Sequence, residues 1–432
     1  MSRKLSITFK SALLCCCVAA TASYGQLISA PDTPERPATP ATPAQHSNAP
    51  RLRGIFTVRV GPGQTPDMAR AMASAAGTAG TLPLFLFSVE SNRDDNFYTG
   101  VMVGHDPFNN GGGQVSVDTP IIPLVIVTNT IGTTVDAKGI ISTKAGRTVF
   151  DPTVANRACL SAPNNVPFKL AQQSPIFQNA HFNFGGTDVG FTQYVDAFQR
   201  ANFWNVIDRS SYHVLLAPRT LAPITLNIPA NKGLALATTA LGPPAFCAPL
   251  GIVNIDTFDG IITNQLLPQL VAHGVNPATF PIFLLSNVVE SFTAPTDLNG
   301  CCVIGYHGTN GFPIQTYSPS DFDTTGLFGG RSGEDTVTLS HEVAEWVNDP
   351  FANNPTPPWG HVGQVPGCQN NLEVGDPLSG TNAPPIFMPN GFTYHLQELA
   401  FFSWFFQTPS IGIHGWFSNN DTFVHDAGPP CH

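Results

Sequence analysis

One segment of this 432-residue chain concentrates side chains that could hold and use a metal ion. It reads Glu334-Asp-Thr-Val-Thr-Leu-Ser-His-Glu-Val-Ala-Glu-Trp-Val-Asn-Asp-Pro350. Acidic residues open it and Asn348-Asp349-Pro350 stops it, the signals of a helix with both ends marked. Apolar residues at 337, 339, 343, 344 and 347 supply a buried side. Residues four apart share a helix face, so His341 and Glu345 project together one turn apart, as two ligands of one ion must. Glu342 lies about 100° round the helix from His341. That places it beside the pair, where a general base can polarise a metal-held water without occupying the metal itself.

A catalytic zinc takes three protein ligands and keeps a position open for water. The further ligands are expected from Gln369-Asn-Asn-Leu-Glu-Val-Gly-Asp-Pro377, a polar stretch downstream of the helix. Glu373 is the preferred third ligand, with Asp376 as a fourth ligand or as a carboxylate that orients His341. His361, in Trp359-Gly-His361, competes for the third place because imidazole suits zinc. A set this rich in carboxylate leaves Mn²⁺ and Ca²⁺ open beside Zn²⁺. The plain alternative is an exposed helix edge with salt-bridged glutamates, but no Lys or Arg lies inside this helix to pair with Glu342 or Glu345. The remaining histidines, His307, His395, His414, His425 and His432, read as surface or hydrogen-bonded core residues.

His341-Glu342 with Glu345 and the downstream Glu373 resembles a zincin-type metallopeptidase of the glutamate-ligand kind. The resemblance implies a mixed sheet packed against an active-site helix, a Zn²⁺ cofactor, a polypeptide substrate and Glu342 as the catalytic base. The chain departs from that pattern at Glu345, where those enzymes carry His, and the added negative charge weakens a metal's pull on its water. A second resemblance covers residues 300–376. There Cys302-Val-Ile-Gly-Tyr-His307 and Asn348-Asp-Pro-Phe-Ala-Asn353 are similar to the Exordium-like, phosphate-induced secreted proteins. That likeness implies a shared scaffold and says nothing of catalysis. A non-catalytic extracellular binding or cell-surface protein is therefore the alternative from another class.

The elements that must position these residues are legible in part. Runs at 54–60, 83–88 and 120–129 are β-branched and apolar between Gly, Pro and Asn, which reads as strands. Residues 192–206 place Tyr194, Ala197, Phe198, Ala201 and Trp204 on one helical stripe. A second helix is expected at 262–273, then strands at 280–286 and 301–308. The expected class is α+β, a zincin-like mixed sheet packed against the helix around 335–348. The expected division is a signal peptide at 1–25, a Pro-rich linker at 26–52 and a globular α+β part at 53–432. That last part is longer than one core usually holds, so two subdomains with the metal site in 275–432 and one elaborated domain both fit.

The N-terminus has the three-part pattern of a secretory leader: Arg3 and Lys4, an apolar run from Ala12 to Ala20, and small residues to Gly25. The expected location is secreted or periplasmic. Lipoprotein processing at the cysteine triplet is disfavoured, because the residues before Cys15 and Cys17 are not small. No later stretch offers the roughly 20 apolar residues of a membrane span. Removing the leader takes away Arg3, Lys4 and Lys10, so that 29 Asp and Glu face the 16 Lys and Arg left from 19, a strong excess of acid. With no basic stripe, nucleic acid is excluded as a partner. Cys159, Cys247, Cys301, Cys302, Cys368 and Cys431 remain, an even set suited to disulfides in an oxidising compartment. No Gly-x-Ser-x-Gly elbow and no phosphate-binding glycine loop offers a rival chemistry.

Overall fold

The computed structural model describes residues 52, 54–61, 80–109, 112–155, 165–207, 210–328, 333–360 and 368–423. The chain divides into two compact units, Met1–Ala41 and Thr42–His432, and every described residue lies in the second. The expected leader, nearly all of the spacer, and His361 lie outside the described residues.

Most of the strand-like runs are strands, but they close on themselves. The strands that bear on the site are β1 (Ile55–Arg59), β2 (Gln114–Val135), β3 (Gly233–Leu236), β4 (Leu250–Asn254), β5 (Ile282–Ser286), β6 (Val288–Ser291), β7 (Cys301–Asn310) and β8 (Gln315–Phe322). Their hydrogen-bonded order is β7-β6-β4-β3-β2-β5-β8, and β8 pairs back onto β7 to close a seven-stranded barrel. The closing ladder is antiparallel, with Gly305 opposite Ser320 and Gly308 opposite Tyr317. β1 runs parallel to β7 and sets Phe56 opposite Gly305.

This corrects the expected architecture. Strand holds 40% and helix 19% of the structure, and a closed barrel stands where a zincin-like α+β fold has an open mixed sheet. The reason is written in β2. Its residues 119–128 are buried without interruption on both faces, as in strands covered on both sides rather than in a half-solvated sheet. Closure gives the flanking strands partners and removes exposed edges.

Helix α1 (Tyr194–Asn202) occupies the expected stripe, and α2 (Val337–Asn348) is the helix expected around 335–348. The helix expected at 262–273 begins earlier, at Ile255, where the Asn254 side chain accepts from Thr257 N at 3.1 Å. α2 lies against β7, β8 and α1. All 12 of its residues are buried, so it is a core helix rather than an amphipathic surface one. Leu339, Val343, Ala344, Trp346 and Val347 join the largest apolar cluster, together with Phe198 of α1. Trp346 stacks on Phe280 at 3.9 Å and donates from Nε1 to Thr316 Oγ1 at 3.0 Å.

The helix approaches the barrel wall closely at Gly305. A Cβ there would sit 2.5 Å from Thr338 Cγ2 and 3.0 Å from Glu342 Oε1, so only glycine permits this docking. Cys301 and Cys302, at the start of β7, form a disulfide with each other, and Cys247 and Cys368 are also disulfide-bonded. Among the described residues no helix is long and apolar enough to cross a membrane.

Candidate metal centre

The helical spacing does what it promised for His341 and Glu345. His341 Nε2 lies 2.9 Å from Glu345 Oε1, yet Nε2 has no partner at hydrogen-bond geometry. A tight turn downstream of β9 (Pro355–Gly360) and β10 (Cys368–Asn371) completes the group. The backbone N–H groups of Gly375 and Asp376 donate to Glu345 Oε1 at 3.1 and 3.2 Å. The same turn brings Asp376 Oδ1 to 3.7 Å from His341 Nε2. One nitrogen and two carboxylate oxygens thus lie within 4.8 Å of one another.

The proton on His341 is assigned by its other nitrogen. Nδ1 is 2.9 Å from Gln397 Oε1, and the Gln397 amide donates from Nε2 to the Gly375 carbonyl, which turns its oxygen towards the ring. Nδ1 therefore donates, and in the neutral ring the Nε2 lone pair faces Glu345 and Asp376. Phe56 stacks on the imidazole with centroids 3.5 Å apart and an 11° tilt. Gly375 presses against the same ring, where an added Cβ would be 2.4 Å from Nδ1. Ring plane, tautomer and direction are all fixed.

Beside this group stands His307, two residues beyond Gly305 on β7 and so on the same strand face. Its Nδ1 is 3.4 Å from Glu342 Oε2 and 3.8 Å from Glu345 Oε2, while its Nε2 is 3.2 Å from the Asp349 carbonyl. His307, Glu342 and Glu345 also form a set whose ligand atoms lie within 4.8 Å of one another. Glu373 Oε2 is 3.9 Å from His307 Nε2, and Glu373 Oε1 accepts from Asn371 Nδ2 at 2.8 Å. Gln369 Nε2 donates to Asp376 Oδ2 at 2.6 Å.

All six ionisable side chains are no more than 3% exposed. Burial, and then the charges of Glu345, Asp376 and Glu290, push the Glu342 carboxyl well above the usual carboxylate range. Burial, and then Glu345 and Asp349, do the same to Glu373. Burial also lowers His307, to about 4, and keeps it neutral. At His341 burial works in that direction too, but Glu345 and Asp376 outweigh it and raise the imidazole. Glu345 is held low because the His341 charge outweighs burial. These signs describe a place that draws positive charge. A proton or a metal ion can fill it, and the two compete.

A divalent cation fits these residues. Unpartnered buried atoms at His341 Nε2, Glu342 Oε1 and Glu373 Oε2 are costly without a cation or proton between them. Imidazole with carboxylates is a donor set for Zn²⁺ or Mn²⁺, whereas Ca²⁺ prefers oxygen alone.

Of the residues expected at the site, the structure brings His341, Glu345 and Asp376 to one point and sets Glu342 beside them. Glu373 lies nearest His307 rather than His341. Sequence reasoning missed His307, Gln397 and Phe56. The signal for His307 was a His two places from a Gly in an otherwise apolar strand; nothing local marked Gln397 or Phe56. Comparison with family models, with curated proteins and with solved structures finds no match.

Proposed function

We propose that this chain is an exported metal-dependent hydrolase in which His341, Glu345 and Asp376 hold a divalent cation, Zn²⁺ by preference, and Glu342 is the general base. A peptide bond is the proposed substrate. The observation that carries this reading is His341 Nε2 set 2.9 and 3.7 Å from oxygens of Glu345 and Asp376 while Nδ1 is tied to Gln397. A cation bound there supplies a Lewis acid that polarises a carbonyl and acidifies water. A cation bound nearby would favour the ionised form of Glu342, whose Oε1, buried and unpartnered, would then take the proton from the attacking water and return it to the leaving amine. Gln397 and Phe56 hold the imidazole in the one orientation that works. The disulfide at Cys301–Cys302 suits an oxidising, extracytoplasmic compartment.

A second reading rests on the enclosure of the site. With every member at 3% exposure or less, a cation could serve as an internal pin that neutralises buried acids in a non-catalytic binding protein. One experiment separates the two. Metal content is measured on the mature protein and its Glu342→Gln variant by elemental mass spectrometry, alongside cleavage of a quenched-fluorescent peptide library. The hydrolase reading expects cation retained at His341 and cleavage lowered about 10²–10⁴-fold in the variant. Stoichiometric metal with no cleavage by wild type, and a melting temperature that falls on chelation, supports the pin. Metal-free wild type overturns both.

A further inference from the structure

We propose that the centre is binuclear: a second divalent cation sits between His307 Nδ1, Glu342 Oε2 and Glu345 Oε2, and the Glu345 carboxylate bridges it to the cation at His341. This rests on the reading that His341 holds a cation.

A backbone carbonyl can only accept a hydrogen bond. Asp349 O lies 3.2 Å from His307 Nε2, so Nε2 carries the ring proton and the Nδ1 lone pair points the other way. What it meets is electron-rich. Glu342 Oε2 is at 3.4 Å and Glu345 Oε2 at 3.8 Å. The arrangement repeats the one at His341, where an outside acceptor fixes one nitrogen and the other faces carboxylate. A histidine whose far nitrogen donates to a carbonyl or amide oxygen is the ordinary form of a metal-bound histidine. The chain has built that form twice, on opposite sides of one glutamate.

Glu345 divides its oxygens accordingly. Oε1 faces His341 Nε2, and Oε2 faces His307 Nδ1. A carboxylate shared in this way is a bridge, and bridged ion pairs sit about 3.5–4 Å apart. Glu342 contributes Oε2 to the second ion, and its buried Oε1 stays without a protein partner. One imidazole with carboxylates at each position selects Mn²⁺ or Zn²⁺.

The test is stoichiometry. Mature protein is loaded with Mn²⁺ or with Zn²⁺, desalted, and metal per chain is measured for wild type and for His307→Gln. A thermal melt confirms that the variant folds, and the wild-type value stands on its own if it does not. Two ions per wild-type chain falling to one in His307→Gln, with exchange-coupled Mn²⁺ pairs by electron paramagnetic resonance in wild type alone, is the expected result. One ion in both proteins overturns the second position and leaves the His341 site standing, with a proton between His307 and Glu342. Two ions in both removes His307 from the ligand set and overturns the inference. No ion in wild type overturns the inference and the reading beneath it together.

Discussion

Two histidine–acid groups meet α2, and their differences are instructive. At its N-terminal end Glu334, Asp335 and His395 come together. His395 Nδ1 lies 2.7 Å from Asp335 Oδ2, and Asp335 Oδ1 accepts from the His395 and Thr336 backbone N–H groups. That carboxylate is saturated by donors, and burial raises its pKa against the opposing pull of His395. In the middle of the helix His341 Nε2 lies 2.9 Å from Glu345 Oε1, while Glu342 Oε1 and Glu373 Oε2, both buried, go without partners. Composition and proximity are nearly the same in both places. The rings differ in what holds Nδ1: a saturated carboxylate at His395, and the Gln397 amide oxygen at His341, which leaves Nε2 to the acids.

The largest expected effect comes from exchanging the two histidines in their roles. His341→Ala should lower cation affinity by more than the roughly 10–100-fold that follows loss of an outer partner, and abolish cleavage. His395→Ala should leave metal content intact and lower only the melting temperature. Next is the tautomer lock. Gln397→Ala should weaken cation binding about 10–100-fold, whereas Asp335→Asn should not change it; equal losses in both would erase the distinction. Gly375→Ala forces a Cβ to 2.4 Å from His341 Nδ1. It should cost about 1–3 kcal/mol of stability from overpacking and displace the imidazole, seen as weaker metal retention. Gly260→Ala, where an added Cβ meets only Asn264 Nδ2 at 3.9 Å, is a control for metal retention.

The smallest effect concerns two acids that belong to neither group, although the Asp323 carbonyl accepts from Asp335 N–H at 3.1 Å. Asp321 is pushed well above the usual range by burial and then by Asp323, and Asp323 is pushed up to about 6 by burial. The folded state therefore binds protons that the unfolded chain releases near pH 4. Such groups stabilise the fold below that pH, and the contribution is lost as pH rises through the folded-state values. Asp321→Asn should accordingly gain about 1 kcal/mol over wild type at pH 8 and little at pH 4. Urea unfolding at the two pH values measures it, and a gain independent of pH would contradict the assignment.

How much of this was legible is clearest residue by residue. The i,i+4 pair of His341 and Glu345 is a local consequence of helix geometry and could be read directly. Asp376 was within reach because the polar turn near 369–377 follows the helix closely in the chain. Phe56 comes from β1, far away in sequence, and His307, though as near the helix in the chain as Asp376, comes from β7; both depend on a register set by barrel closure. That closure was not legible, since each strand run reads alike in an open sheet and in a barrel. Only the unbroken burial of residues 119–128 decides between them, and burial is a property of the fold. Gln397 was invisible for a related reason: its role lies in which way its amide is turned.

The most direct measurement is an anomalous difference map from crystals of the mature protein grown with Zn²⁺ and recorded on both sides of the zinc edge. The account predicts a peak between His341 Nε2, Glu345 and Asp376, and none at His395. A map with no peak at His341, or with its peak at His395 instead, would contradict it.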